Sequence, residues 1–183
     1  MGVPKLKRKI SVEDYLEGEK SSEFRHEFID GEVYAMAGVS KNHNRLNRRL
    51  LDAIEKKLKG TDCESFFVDV KLQVKKLNRF YYPDLVVVCD EDTESEYFIT
   101  KPRIIVEILS PSTAGTDRRE KMFAYQEIDS LQEYLMIDQD TQFAELYRRR
   151  DDGLWSWIIF ESGEDLELES VGFTMPMAEL YRQ

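Results

Sequence analysis

Apolar residues recur at helical spacing between Lys41 and Leu58, where Leu46, Leu50, Ile54 and Leu58 fall four residues apart. Arg45, Arg48, Arg49 and Asp52 project to the other side, so the segment reads as a long amphipathic helix stopped near Gly60. Elsewhere the period changes. Phe24 to Ile29 and Glu32 to Met36 flank Asp30-Gly31, the signature of a hairpin with a two-residue turn. Phe66 to Val74 alternates through Val68, Val70, Leu72 and Val74, and is expected as one strand. Leu85 to Cys89 and Ile104 to Leu109 are continuous apolar runs of the kind that fill two-face-buried strands. Ser11-Val-Glu-Asp14 reads as a capped start for a short helix over about 12–17. A second helix is expected over about 117–128, after the loop Ser110-Pro111-Ser112-Thr113. Tyr134 to Ile137 reads as a short strand. Phe143 to Tyr147 and Leu154 to Phe160 read as a hairpin turning at Asp151-Asp152-Gly153. This order implies one α/β domain of the α+β type over residues 1–183, with a central mixed sheet flanked by helices, an N-terminal and a C-terminal hairpin, and a flexible arm over 1–10.

Composition narrows the class. With 183 residues, 42% hydrophobic and 11% aromatic, the chain can bury a substantial core. No stretch approaches the roughly 20 apolar residues of a membrane span, and no signal peptide is evident, so a cytoplasmic protein without a membrane partner is expected. Cys63 and Cys89 lack metal-ligand spacing; Cys89 ends an apolar strand and is expected as a packed free thiol. A net charge of -10 argues against nonspecific coating of nucleic acid. Basic residues still bunch at Lys5 to Lys9, Lys41 to Arg49, Lys71 to Arg79 and Arg148 to Arg150, as solvated faces or as a local basic groove.

Two carboxylates break the apolar pattern. Asp84 follows Pro83 at the mouth of Leu85 to Cys89, and Glu107 sits inside Ile104 to Leu109. Ionised acids in central strands are costly unless compensated. On adjacent strands, about 5 Å apart, they would repel by on the order of 3 kcal/mol at an effective dielectric near 20, which a divalent cation would relieve. Projection of the second helix at about 100° per residue groups Met122, Ala124, Tyr125 and Ile128, with Phe123 opposite and Lys121 at the centre of the apolar arc. Asp117, one turn earlier, shares that stripe. His43 and Asn47 lie on the apolar face of the first helix, at a helix start whose free N–H groups suit a phosphate.

Asp84, Glu107 and Lys121, with Asp117 and His43 as outer members, form the set required for metal-assisted phosphodiester hydrolysis. The carboxylates would hold Mg²⁺ or Mn²⁺, and the ammonium would orient water or neutralise developing charge. Pro83-Asp84, an acid 23 positions later and a strand-loop-helix beyond it resemble the PD-(D/E)XK nuclease superfamily. Phe28-Ile29-Asp30-Gly31-Glu32, His43, Tyr82-Pro83-Asp84-Leu85, Val106-Glu107-Ile108-Leu109-Ser110-Pro111, and Asp117 with Lys121 and Tyr125 resemble the Uma-two family of endonucleases, over residues 11 to 140 or so. The resemblance implies a restriction endonuclease-like fold, Asp84 and Glu107 as metal ligands, and a nuclease acting on DNA. It also points to Glu27 as an accessory acid, and analogy with the fold suggests a homodimer. Where the superfamily motif places lysine two residues after the acid, this chain has Leu109; a lysine from the following helix is a superfamily variation, which puts Lys121 in the role.

Each residue also has a plainer explanation. Asp84 can start a strand after a turn, Glu107 can form a structural ion pair with Lys121, and Asp117 can cap a helix. His43 can be a core histidine, and Lys121 can reach past the apolar arc to solvent. Two other functions therefore stand beside nuclease: a nucleic-acid or protein-binding module that keeps the fold and cuts nothing, and a structural oligomer using the hairpin Phe143 to Phe160, with Trp155 and Trp157, as its contact.

Overall fold

The computed structural model describes residues 9–110 and 114–182. Helix α1 (Val12–Ser21) starts where Ser11 Oγ accepts the Asp14 amide, as its sequence implies, but runs past Gly18. Its inner face explains the extra turn. Tyr15 stacks on Phe28, and Glu19 is buried as the acceptor of the Tyr82 hydroxyl at 2.6 Å.

The hairpin β1 (His26–Ile29) and β2 (Glu32–Ala35) turns at Asp30-Gly31, both with positive φ, the backbone that Asp-Gly tolerates best. Ile10 donates its amide to the Gly31 carbonyl, so the end of the expected flexible arm is tied to this turn; the arm's first eight residues lie outside the described ones. Helix α2 (Lys41–Leu58) has the bounds its periodicity implies. Strands β3 (Glu64–Phe67), β4 (Lys71–Val74), β5 (Arg79–Tyr81), β6 (Leu85–Val88), β7 (Phe98–Ile99) and β8 (Ile104–Leu109) follow.

The strand expected over 66–74 is two strands. Val68 and Asp69 both take positive φ, which bends the chain so that β3 and β4 enter different sheets. The single central sheet expected is accordingly two: a five-stranded sheet in the order β2-β1-β5-β4-β7, and a six-stranded sheet. The second helical segment comprises α3 (Ala114–Thr116), a π-helical turn (Asp117–Lys121) and α4 (Met122–Gln126), starting earlier than expected. The loop expected before it lies, at 111–113, outside the described residues. Strands β9 (Glu133–Asp138), β10 (Phe143–Arg149) and β11 (Trp155–Glu161) complete the larger sheet, ordered β11-β10-β9-β8-β6-β3. A hairpin of β12 (Asp165–Leu168) and β13 (Phe173–Pro176), then α5 (Met177–Leu180), ends the chain.

The six-stranded sheet is covered on both faces. On one, Leu46, Leu50 and Ile54 of α2 pack with Leu85, Val106, Ile108 and the β12–β13 hairpin. On the other, Ala124 and Tyr125 of α4 pack with Val86, Ile105, Leu109 and Tyr134. Strand alternation places Glu107 on the α4 face, with Ile105 and Leu109 on either side of it. Among the described residues, no helix is long and apolar enough to cross a membrane.

Cys63 and Cys89 are joined in a disulfide, which corrects the expected free thiol. They meet because β3 and β6 pair antiparallel, with Glu64 opposite Val88, so the cysteines stand at the next step of that ladder. The bridge closes a separation of 26 residues, for which chain entropy gives about 3.5 kcal/mol. Melting in excess dithiothreitol is expected about 10 °C lower than in its absence; an unchanged Tm would show that the bridge adds nothing to stability.

Candidate active site

Strand pairing brings the two central acids together. β6 runs antiparallel to β8 with Leu85 opposite Val106, so Asp84, one step beyond, stands opposite Glu107. Asp84 is held on both oxygens: Oδ2 accepts the Ile108 amide at 2.7 Å, and Oδ1 lies 2.8 Å from His43 Nε2. Its carbonyl accepts from Asn47 Nδ2, also on α2. The α2 start is thereby fastened to the mouth of β6.

Glu107 is 4% exposed within a strand whose six residues are all buried. Its Oε1 accepts from Lys121 Nζ at 3.0 Å and from the Tyr125 hydroxyl at 2.9 Å. Lys121 is buried too, and its ammonium also lies 3.0 Å from Glu27 and 3.2 Å from Asp117. Asp117 Oδ1 is fully buried beside that ammonium yet receives no hydrogen bond from the described residues. The π turn carries both residues, and π turns concentrate at functional sites. Phe123, 64% exposed, points away, as the helical projection implies.

Glu27, Asp84, Glu107 and Asp117 set four carboxylates around one ammonium. Burial pushes the Glu107 carboxyl well above the usual carboxylate range; Lys121 opposes that shift, and Asp117, Asp84 and Glu27 reinforce it. Burial works against the Lys121 charge, but Glu107, Glu27 and Asp117 outweigh it and hold the ammonium well above the ordinary lysine value. Burial and Glu107 likewise raise the Tyr125 hydroxyl.

All six residues expected at a site, Glu27, His43, Asp84, Glu107, Asp117 and Lys121, line one cleft of about 480 Å³. Sequence reasoning missed Tyr34, Tyr82 and Gln139, which line it as well. Gln139 Oε1 accepts from Ser40, the α2 cap, and its carbonyl accepts from Asn42. It follows β9, the parallel neighbour of β8, and that neighbourhood was its only signal.

No three His, Cys, Asp or Glu side chains among the described residues are arranged to hold a metal ion, and the Lys121 ammonium pairs with three of the acids. The donor chemistry nevertheless fits a hard divalent cation. Mg²⁺ is commonly held by one or two carboxylates with waters completing its shell, and this cleft has uncompensated negative charge.

A family model described as "Putative restriction endonuclease" matches residues 12–178. An uncharacterized protein of Synechocystis sp. is 38% identical over 175 residues, covering 95% of this chain and 92% of the relative. A second Synechocystis protein, also uncharacterized, is 35% identical over 164 residues, covering 87% and 92%. The crystal structure of a "putative nuclease" from Anabaena variabilis shares the fold with a TM-score of 0.77 at 18% identity, covering 94% of this chain and 97% of that one. On the family match and these identities, the chain belongs to the Uma2 family, the Uma-two family that its motifs resemble.

Proposed function

We propose that this protein is a metal-dependent nuclease that hydrolyses phosphodiester bonds, with DNA as its substrate. The observation that carries this reading is Glu107, a carboxylate inside a wholly buried strand, opposite Asp84 and ion-paired to a buried lysine. The family description and the name of the Anabaena protein point the same way.

In this reading Asp84 and Glu107 hold Mg²⁺ or Mn²⁺, which when bound polarises the phosphate and acidifies a water. His43 and the Ile108 amide fix the Asp84 carboxylate, so its oxygens need no reorganisation when ligand arrives. Tyr125 orients Glu107 by donating its hydroxyl to Oε1. Lys121, 3.0 Å from Glu107 Oε1, stabilises negative charge developing on the phosphate. Glu27 and Asp117 keep that lysine charged and inward.

Proton linkage gives a direct test. The folded Glu107 carboxyl is harder to ionise than the unfolded one, so its ionisation lowers stability as pH rises from the ordinary carboxylate range through its raised value. A divalent ion cancels that loss and expels the proton. Calorimetric titration with Mn²⁺ at about pH 6, in buffers of different ionisation enthalpy, is expected to show binding with net proton release that Glu107→Gln abolishes. Absence of Mn²⁺ binding while DNA binding persists would favour the second reading, a binding module that cuts nothing. The ion pairs that Lys121 already makes with three carboxylates are the observation on that side.

A further inference from the structure

The cleft has an apolar lip that the hydrolytic reading leaves unused. Glu27 pairs directly with Tyr34 across the β1–β2 hairpin, and paired residues share a face of the sheet. Tyr34 therefore stands on the cleft side, beside the acid that contacts Lys121, and Met36, two residues on, follows on the same side. Both remain open to solvent, Tyr34 at 48% and Met36 at 40%. The Tyr34 hydroxyl donates to Glu32 at 3.0 Å, which fixes the ring without covering it. β2 is an edge strand of its sheet, and among the described residues no strand pairs along its outer side.

Charge sharpens the question of what this lip binds. Among the described residues, the cleft lining has four acids and the single cation Lys121, already paired to three of them. Phosphate attraction alone supplies little affinity in such a cleft, whereas base stacking on an aromatic side chain contributes independently of charge. A base inside a duplex presents only its edges, and its faces become available when it is unpaired.

Resting on the nuclease reading, we infer that Tyr34, supported by Met36, is a stacking platform for an unpaired nucleobase beside the scissile phosphate. The preferred substrate is then a nucleic acid with single-stranded or locally opened bases. Tyr34 is a specificity-determining residue, and it takes no part in the chemistry.

The test uses the full chain carrying Asp84→Asn, titrated with a single-stranded DNA oligonucleotide containing 2-aminopurine, an RNA of the same sequence, and the corresponding DNA duplex. Quenching of 2-aminopurine and tighter binding of the single strands than of the duplex are expected. Adding Tyr34→Ala weakens single-strand binding about tenfold and removes the quenching. Adding Tyr34→Phe keeps both, because it keeps the ring and loses only the bond to Glu32. Equal binding of duplex and single strand, or Tyr34→Phe as weak as Tyr34→Ala, would overturn the platform. Because this readout is binding without cleavage, the platform can fail while metal-dependent cutting stands, and cutting can fail while stacking stands.

Discussion

Glu107→Gln is expected to lower phosphodiester cleavage by about 10³-fold or more while leaving the metal-free protein as stable as the wild type or more so. The two effects separate because the residue serves chemistry at the expense of stability. Its charge is buried with three other carboxylates nearby, so neutralising it removes repulsion. The glutamine oxygen still accepts from Tyr125 and Lys121, the two partners that Glu107 Oε1 now has. Asp84→Asn should lose activity to a similar degree, since it weakens the other ligand. Cleavage assays paired with thermal melts in chelator distinguish this outcome from unfolding. Activity lost together with a large drop in Tm would mean that Glu107 is a structural ion-pair partner.

Lys121→Met is expected to move both quantities downward. Among the described residues the ammonium is the one cation paired with Glu27, Glu107 and Asp117, and removing one side of a buried charge cluster costs about 3–5 kcal/mol. For a chain of this size that corresponds to a Tm about 10 °C lower. Saturating Mg²⁺ should restore part of the loss, because a divalent ion substitutes for the missing positive charge. The stabilisation by Mg²⁺ is therefore expected to be larger in the variant than in the wild type, while activity stays lower by about 10²- to 10³-fold. Equal Mg²⁺ shifts in the two proteins would place the metal away from this lysine.

Much of this site is legible in the sequence because its members violate a strong local pattern. Glu107 interrupts six apolar strand residues, and Lys121 falls at the centre of an apolar helical arc; both stand out whatever the fold. The convergence of Asp84 with Glu107 depended on β6 and β8 being neighbours, which the sequence order suggests and the register shows. Glu27 was different: nothing in the alternation of β1 distinguishes it, and only the family resemblance marked it.

Other features left no local trace. The break at Val68–Asp69 contains neither glycine nor proline, and positive φ at a valine is not a sequence signal, so β3 and β4 read as one strand. The Cys63–Cys89 bridge depends on the β3–β6 pairing between residues 26 apart. The β12–β13 hairpin, by contrast, was there to be read: Leu166 and Leu168, then Phe173 and Met175, alternate around Gly172, whose positive φ ends the intervening turn. Tyr34 escaped notice because an exposed tyrosine on a hairpin is ordinary until its partner across the strands is known.

Whether Asp84 and Glu107 form a metal site that cuts phosphodiester bonds is decided by single-turnover cleavage in Mn²⁺ or Mg²⁺, with wild type and Glu107→Gln run side by side on the same mixture of single- and double-stranded DNA. The wild type is expected to cut, chelator to stop it, and Glu107→Gln to leave the DNA intact. Equal cleavage by the two proteins, or none by the wild type with either metal, would contradict such a site.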